Sequence, residues 1–136
     1  MDIGIIERAK KENWMICTYG LGYLGKRLYK DIPGMFELSA KFYCDGDDGK
    51  VDSVILPEMK GIYIKDLLEV RHPTIVFILV DDPYDMEIQE MLSANDNLYT
   101  VTLRELAQMN YIIRAFYGDA VFEKYKKLPD YSIKET

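Results

Sequence analysis

The sequence predicts an α/β fold: a five-stranded parallel sheet with helices on both faces and a helical segment at the C-terminus. Three observations lead to this prediction. Strand-like and helix-like segments alternate along the chain, which is typical of a parallel sheet with right-handed crossovers. Residues 74–80 are apolar without alternation, as in a central strand that is buried on both faces. A turn with three glycines, Gly20-x-Gly22-x-x-Gly25, follows the first predicted strand.

The first strand and its helix surround this turn. A short helix capped by Asp2 opens the chain and has Lys10 and Lys11 in its last turn. Strand one is predicted over residues 14–19, and a helix over about residues 23–30 follows the glycines. Because the glycines lie between a strand and a helix, they are more informative than their spacing alone.

Strand two follows a break in the chain. Pro33 and Gly34 end the preceding helix, because proline cannot continue it and glycine turns the chain. Strand two is then predicted over residues 36–44. Aspartate and glycine dominate residues 45–50, which we expect to form a flexible acidic loop, and residues 51–59 are interpreted as a connector.

Three further strands complete the predicted sheet. A short strand at residues 62–64 precedes one or two helical turns at residues 65–70. The central strand over residues 74–80 and a helix over residues 85–92 come next, and a half-polar strand over residues 98–102 is the last. The expected strand order is 3-2-1-4-5, which places the glycine turn at the switch point between strands one and four.

Apolar residues continue at helical spacing beyond the last strand. We expect them to cover an edge or a face of the sheet, and in part to form a symmetric homodimer. The chain is therefore divided into a domain over residues 1–102 and a C-terminal helical extension and tail over residues 103–136. The apolar stripe of this extension consists of Leu103, Leu106, Met109, Ile112, Ile113, Phe116, Ala120 and Val121.

Length and charge exclude several classes of function. The chain has 136 residues, enough for one domain but too few for a cofactor domain and a substrate domain together. Its net charge of -6 argues against a nucleic-acid partner. The longest apolar run, at residues 75–80, is far shorter than the roughly 18 residues of a membrane span. No secretory signal is visible, so a cytoplasmic location is expected.

Each glycine of the turn has a role that a diphosphate-binding strand–turn–helix requires. Gly20 makes the tight turn, Gly22 lets the backbone approach the phosphates, and Gly25 lets the helix pack close to the strand. The helix then begins at Tyr23 and Leu24, where free N–H groups and a partial positive charge face the anion. This pattern predicts a Rossmann-like half-fold that binds a nucleotide.

Asp45 stands at the end of the second predicted strand, where such folds have a ribose-binding carboxylate. A carboxylate there accepts hydrogen bonds from ribose hydroxyls but repels a 2′-phosphate, so we expect NAD(H) in preference to NADP(H). The expected ligand is NAD or a nucleotide sugar. The candidate cofactor-binding residues are Gly20, Gly22, Tyr23, Leu24, Gly25 and Asp45.

Other reactive side chains have structural interpretations. Cys17 and Cys44 lie in apolar strands without a metal-binding spacing, and we expect two buried, reduced thiols. His72 is the only histidine, and because it precedes Pro73 it is interpreted as a turn residue. No catalytic residue and no metal ligand is assigned.

Two acids after strand four complicate the nucleotide hypothesis. Asp81 and Asp82 would repel a pyrophosphate unless they point away or recruit Mg²⁺. Lys26 and Arg27, in the first turn of the helix after the glycines, could offset this charge. The segment Asp82-Pro83-Tyr84 also resembles the Asp-Pro-Pro-Tyr motif of amino-methyltransferases, although one proline is missing.

Four features follow one another in a characteristic order: the glycine turn, the strand end Phe42-Tyr43-Cys44-Asp45, the segment Gly61-Ile62-Tyr63-Ile64 before Leu67-Leu68, and the apolar strand from Thr74 to Val80. In this order of motifs, the chain resembles the small Rossmann-like domains attached to bacterial polysaccharide-biosynthesis enzymes, such as sugar methyltransferases, glycosyltransferases and sugar acyltransferases. The resemblance covers roughly residues 14–106. The resemblance implies a domain of the NAD(P)-binding type that binds a nucleotide or a nucleotide sugar, or serves as a scaffold.

The function expected from the sequence is therefore the binding of a nucleotide or nucleotide sugar without catalysis, in sugar or polysaccharide biosynthesis. Two alternatives remain open. One is a fragment of an NAD-dependent oxidoreductase, although no Tyr-x-x-x-Lys pattern, catalytic histidine or substrate domain can be identified. The other is a ligand-free scaffold or dimerisation module that keeps the fold but not the site.

Overall fold

The computed structural model describes residues 3–53, 56, 59–81 and 83–108. Helices α1 to α7 of these residues are, in chain order, Ile3–Glu12, Tyr23–Leu28, Asp31–Gly34, Asp48–Ser53, Ile64–Leu67, Tyr84–Leu92 and Leu103–Gln108. Strands β1 to β5 are Met15–Tyr19, Phe42–Cys44, Lys60–Gly61, Thr74–Ile78 and Leu98–Thr102.

All strand pairs of the sheet are parallel, and the strand order is β3-β2-β1-β4-β5. The predicted fold class and strand order are confirmed. Strand β1 lies between β2 and β4, with Tyr19 opposite both Cys44 and Ile78. The ends of these three strands therefore meet at one edge of the sheet, which we call the carboxyl edge; the opposite edge is the amino edge.

Strand β4 shows why the sequence of a central strand is continuously apolar. Ile75 and Phe77 face one side, where α1, α2, α3 and α7 cover the sheet. Val76 and Ile78 face the other side, which α5 and α6 cover. All four side chains are fully buried. A strand that is covered on both faces has no solvent side on which polar residues would alternate.

Helix α7 begins with a reciprocal pair of capping hydrogen bonds. The Glu105 backbone N–H donates to Thr102 Oγ1 over 3.0 Å, and the Thr102 N–H donates to Glu105 Oε1 over 3.2 Å. Leu103 and Leu106, the first two residues of the predicted apolar stripe, are fully buried in the core. The rest of the stripe, at positions 109–121, lies outside the described residues, as does the tail.

Strand β2 is much shorter than predicted. The prediction over residues 36–44 was wrong for its first part, because the chain there follows the one-turn helix α3 and remains in turns. Glu37 adopts a left-handed φ of 59°, and the Leu38 N–H donates to the Pro33 carbonyl over 3.0 Å. Phe36 still reaches the core and stacks on Phe77. Phe36 is therefore an apolar residue whose side chain is partly buried although its backbone lies in a turn and not in a strand.

The acidic loop and the third strand also differ from the prediction. The second half of the expected flexible loop is helical, since α4 begins at Asp48 and buries Val51. Strand β3 is Lys60–Gly61 rather than residues 62–64, and Ile64 already belongs to α5. The short strand is held by β2, because the Lys60 N–H donates to the Lys41 carbonyl over 2.9 Å.

Candidate functional site

The glycine turn leaves the sheet between its neighbours at the carboxyl edge. The Gly20 N–H donates to the Cys44 carbonyl at the end of β2 over 2.9 Å. On the other side, the Leu79 N–H donates to the Tyr19 carbonyl over 2.8 Å. The turn is therefore bound on both sides at the switch point of the sheet, as its position after strand one predicts.

Two of the glycines are required by close packing. Gly20 has a φ of +116°, and a Cβ added to it would lie 2.8 Å from the Leu79 carbonyl oxygen. A Cβ on Gly25 would lie 1.9 Å from the carbonyl oxygen of Gly20. Helix α2 thus packs directly onto the turn that precedes it, and neither position has room for a side chain.

Gly22 differs from both. A Cβ added to it would meet no atom within 4 Å, and its φ of -81° is accessible to any residue. Gly22 caps α2 but carries no side chain to accept a hydrogen bond. The N–H groups of Tyr23 and Leu24 start the helix and so have no partner within it. Apart from its chain neighbours, nothing therefore fills the space where a Gly22 side chain would lie, at the start of α2.

Asp45 lies directly against this turn. Its Oδ2 accepts a hydrogen bond of 2.9 Å from the Leu21 N–H, and its Oδ1 accepts one of 2.9 Å from the Asp47 N–H. The side chain is half-buried. Since each carboxylate oxygen has two lone pairs, one acceptor position per oxygen remains for a ribose hydroxyl. The structure thus brings Asp45 and the three glycines together.

The contact between Leu21 and Asp45 is a feature that sequence reasoning missed. Leu21 was an unassigned position of the glycine pattern, but its N–H binds Asp45 and its side chain is buried against Tyr43 and Val51. A signal was present in the sequence, because an apolar residue between two glycines of a turn suggests that its side chain packs inward. The carboxylate consequently holds the turn in place.

Exposed aromatic and basic groups lie on α2: Tyr23 is its first residue, whereas Lys26 and Arg27 lie in its last turn and not, as predicted, in its first. Tyr23 is 74% exposed, and the Arg27 guanidinium lies 6.0 Å from the centre of its ring. Arg27 Nη1 also donates to the Tyr23 hydroxyl over 3.0 Å. Lys26 is exposed on the same helix. These two cations can balance phosphate charge at the turn.

Of the two acids that follow β4, Asp81 and Asp82, the first lies among the described residues. Asp81 is half-buried, and its backbone carbonyl accepts a hydrogen bond of 3.1 Å from the Asp85 N–H. Asp82 lies outside the described residues. The fully buried acid of this region is Asp85, whose Oδ2 accepts a hydrogen bond of 3.1 Å from Arg104 Nε. This ion pair joins the first turns of α6 and α7, and sequence reasoning missed it.

Nucleophilic side chains near the turn are held in their protonated forms. Burial raises the pKa of the Cys17 thiol well above its usual value, and it raises that of Cys44 to about 12. Burial also raises the pKa of the Tyr19 phenol. Both cysteines are free and buried, which confirms the prediction for them. Groups that stay neutral near pH 7 supply no thiolate or phenolate for catalysis.

His72 lies at the amino edge, away from the glycine turn. It occupies a bend before β4, and its Nε2 contacts the Met15 sulfur over 3.3 Å. The only histidine of the chain is therefore a turn residue, as predicted, and not part of the candidate site.

No group of three or more His, Cys, Asp and Glu side chains in the described ranges is arranged to hold a metal ion. Within those ranges, no helix combines the length and apolarity needed to cross a membrane. Comparisons with protein-family models, curated proteins and solved structures found no match.

Proposed function

We propose that this chain binds a nucleotide or nucleotide sugar at the glycine turn and has no catalytic activity of its own. The observation that carries the proposal is the open space beside Gly22, next to a turn that Gly20 and Gly25 pack tightly. Packing explains why the outer two positions are glycine. It does not explain Gly22, whose lack of a side chain leaves room for a phosphate to reach the backbone.

Asp45 supports a ribose in the same site. Its carboxylate is held against the turn by two backbone N–H groups, so its position does not depend on the ligand. A preorganised acceptor loses little entropy when a hydroxyl binds to it. The same charge disfavours a 2′-phosphate, so any dinucleotide that binds is NAD(H) rather than NADP(H).

The resemblance to domains of polysaccharide-biosynthesis enzymes supports nucleotide sugars as the second ligand class, in sugar or polysaccharide biosynthesis. A UDP- or CDP-sugar shares with NAD the diphosphate and ribose that the turn and Asp45 suit. Lys26 and Arg27, both exposed on α2, offset part of the diphosphate charge. The chain is a carrier or positioning domain in this proposal.

Two observations favour a ligand-free scaffold as the second candidate. Asp45 already occupies the Leu21 N–H of the turn, and its negative charge lies where a phosphate would approach. Three large apolar or aromatic side chains that follow β1 and β4 are exposed, as a protein contact would require: Tyr23, Tyr84 and Met86.

Thermal unfolding against a panel of ligands tests the proposal. The panel contains NAD, NADP, UDP-sugars, CDP-sugars and S-adenosylmethionine. A ligand at about 100 times its Kd stabilises the folded state by about 2.7 kcal/mol. We expect stabilisation by NAD or a nucleotide sugar and none by S-adenosylmethionine. If no nucleotide raises the unfolding temperature, the scaffold replaces the binding proposal; tighter binding of NADP than NAD contradicts the role of Asp45.

A homodimer through the C-terminal apolar stripe is part of the same proposal. Leu103 and Leu106 already fill the core of one chain, so the residues after them have less of the sheet left to cover. Light scattering gives the test. We expect a mass of about twice the 15.8 kDa chain at micromolar concentration. A mass near 15.8 kDa contradicts the dimer.

A further inference from the structure

The single histidine of the chain faces a thioether at the amino edge of the sheet. His72 Nε2 lies 3.3 Å from the sulfur of Met15, the first residue of β1. An exposed imidazole can form strong hydrogen bonds with water, whereas a thioether sulfur is only a weak acceptor. The contact therefore contributes little as a hydrogen bond, although it brings two metal-binding atoms together.

The fold holds both partners through their backbones. Met15 is paired with Thr74 in the parallel sheet, and His72 lies in the bend two residues before Thr74. The Thr74 hydroxyl donates to the His72 carbonyl over 3.1 Å, which closes this bend. The side-chain amide of Asn97 donates to the Val70 carbonyl over 3.2 Å and holds the preceding turn. Donor groups that are held in this way lose little entropy when they bind a ligand.

The separation of the two donor atoms suits one shared ion. Metal bonds to histidine nitrogen and to sulfur are about 2.0 and 2.3 Å long. Two such bonds leave 3.3 Å between nitrogen and sulfur when they meet at about 100° at the metal. His72 Nε2 and the Met15 sulfur are therefore already at a separation that one ion requires.

The types of the donor atoms select a soft ion that takes few ligands. Thioether sulfur is a ligand for Cu(I), whereas Mg²⁺, Ca²⁺ and Mn²⁺ prefer oxygen. Zn²⁺ in proteins almost always takes about four ligands from nitrogen, oxygen and thiolate. In the described ranges, no three His, Cys, Asp and Glu side chains come together as Zn²⁺ would require. Cu(I) and its analogue Ag(I) accept low coordination numbers, so a pair of donors suits them.

An ion from solution reaches this pair more readily than it reaches the thiols. His72 is exposed, Met15 is half-buried, and both line an open cleft of about 730 Å³. Cys17 and Cys44 are buried, and burial raises the pKa of Cys17 well above its usual value and that of Cys44 to about 12. Because a metal binds the thiolate and not the thiol, these cysteines are poor competitors in the folded protein.

We propose that His72 and Met15 form a binding site for a soft monovalent metal ion, Cu(I). Small ligands from solution complete the coordination of the ion. The site lies at the amino edge of the sheet, so it is independent of the glycine turn and of any nucleotide bound there.

Ag(I) is the probe, because it has the charge and softness of Cu(I) without its redox chemistry. The full-length protein is titrated with silver nitrate in a buffer without chloride. In carbon–proton correlation spectra, the only histidine gives one set of ring signals, and the signal lost in Met15→Leu identifies Met15 among the seven methionine methyl groups. We expect the first equivalent of Ag(I) to shift the signals of His72 and Met15 together.

Conservative variants test the two donors separately. His72→Gln and Met15→Leu should each lower the affinity for Ag(I) at least about tenfold, since losing even a residue that only orients a metal ligand costs about 10- to 100-fold. Isothermal titration with free methionine as a competitor measures this affinity. Met86→Leu removes an exposed thioether elsewhere and should bind Ag(I) as the wild type does. Leucine and methionine have similar volumes, so both methionine variants should fold, and signal dispersion checks this.

The proposal is overturned if the first equivalent of Ag(I) leaves the His72 and Met15 signals unchanged, for example because it binds Cys17 or Cys44. Wild-type affinity in folded His72→Gln or in folded Met15→Leu also overturns it. Tighter binding of Zn²⁺ than of Ag(I) at this pair would contradict a site for a soft ion. None of these results bears on the glycine turn, where nucleotide binding is measured with other ligands and other variants.

Discussion

The three glycines of the turn differ in what surrounds their backbones. We call Gly20 and Gly25 the packed side of the turn and Gly22 its open side. An added Cβ would lie 1.9 Å from a backbone oxygen at Gly25 and 2.8 Å from one at Gly20, whereas at Gly22 it would meet nothing within 4 Å. The packed side serves the fold, and the open side is available to a ligand. The comparison teaches that stability and binding can be tested at separate positions of one short motif.

Gly25→Ala should have the largest effect on stability. Its Cβ would overlap the Gly20 carbonyl, which is part of the backbone and cannot rotate away. Overpacking typically costs about 1–3 kcal/mol and sometimes more, and we expect at least about 3 kcal/mol here. Urea unfolding measures this. Gly34→Ala is the control, because a Cβ there meets no atom within 4 Å; equal stability of the two variants would contradict the packing.

Gly20→Ala should destabilise the protein somewhat less. Its φ of +116° is a conformation that residues with a side chain rarely adopt, and such strain costs of order 1–3 kcal/mol. The contact with Leu79 adds to this cost, although Val80 can move its methyl group away. We expect a loss of about 2–3 kcal/mol in urea unfolding. A loss under about 0.5 kcal/mol would show that the packed side tolerates a side chain.

Asp45→Asn should have an intermediate effect. An amide keeps one oxygen acceptor but places an NH₂ group where a second backbone N–H now donates. A buried donor without an acceptor costs about 1–3 kcal/mol, and we expect the lower part of this range because the side chain is half-buried. Asp66→Asn, on the exposed surface of α5, is the control. Equal free energies of unfolding for the two variants would show that the Asp45 carboxylate does not stabilise the turn.

The two halves of the sheet differ in how well the sequence predicts them. Strand β5 has the predicted bounds, and β4 is contained in the predicted run, because burial on both faces leaves an uninterrupted apolar pattern. Phe36 and Leu38 are equally apolar, yet they pack against the core from turns, so the same signal led to a strand that is too long. A local run of apolar residues therefore predicts burial more reliably than it predicts the backbone conformation.

The candidate site shows a similar limit. The spacing of the three glycines, together with their place between a strand and a helix, predicted the tight turn at Gly20 and the close packing at Gly25. The bond between Leu21 and Asp45 joins residues that only the pairing of β1 with β2 brings together. Contacts of this kind depend on tertiary structure, and no spacing rule along one chain contains them.

Gly22→Ala should have the smallest effect on stability. The methyl group enters open space with a permitted backbone conformation, and alanine lowers the entropy of the unfolded chain. We expect a change within about 0.5 kcal/mol in either direction. A loss as large as that of Gly20→Ala would mean that the open side of the turn is also packed.

Isothermal titration of Gly22→Val with NAD(H) and with a UDP-sugar tests the central claim most directly. A branched side chain at this position fills the space that a phosphate needs, and Gly34→Val controls for the loss of a glycine elsewhere. We predict that the wild type and Gly34→Val bind one of these nucleotides, while folded Gly22→Val binds neither. Wild-type affinity in folded Gly22→Val, or no binding by the wild type, would contradict a phosphate site at the glycine turn.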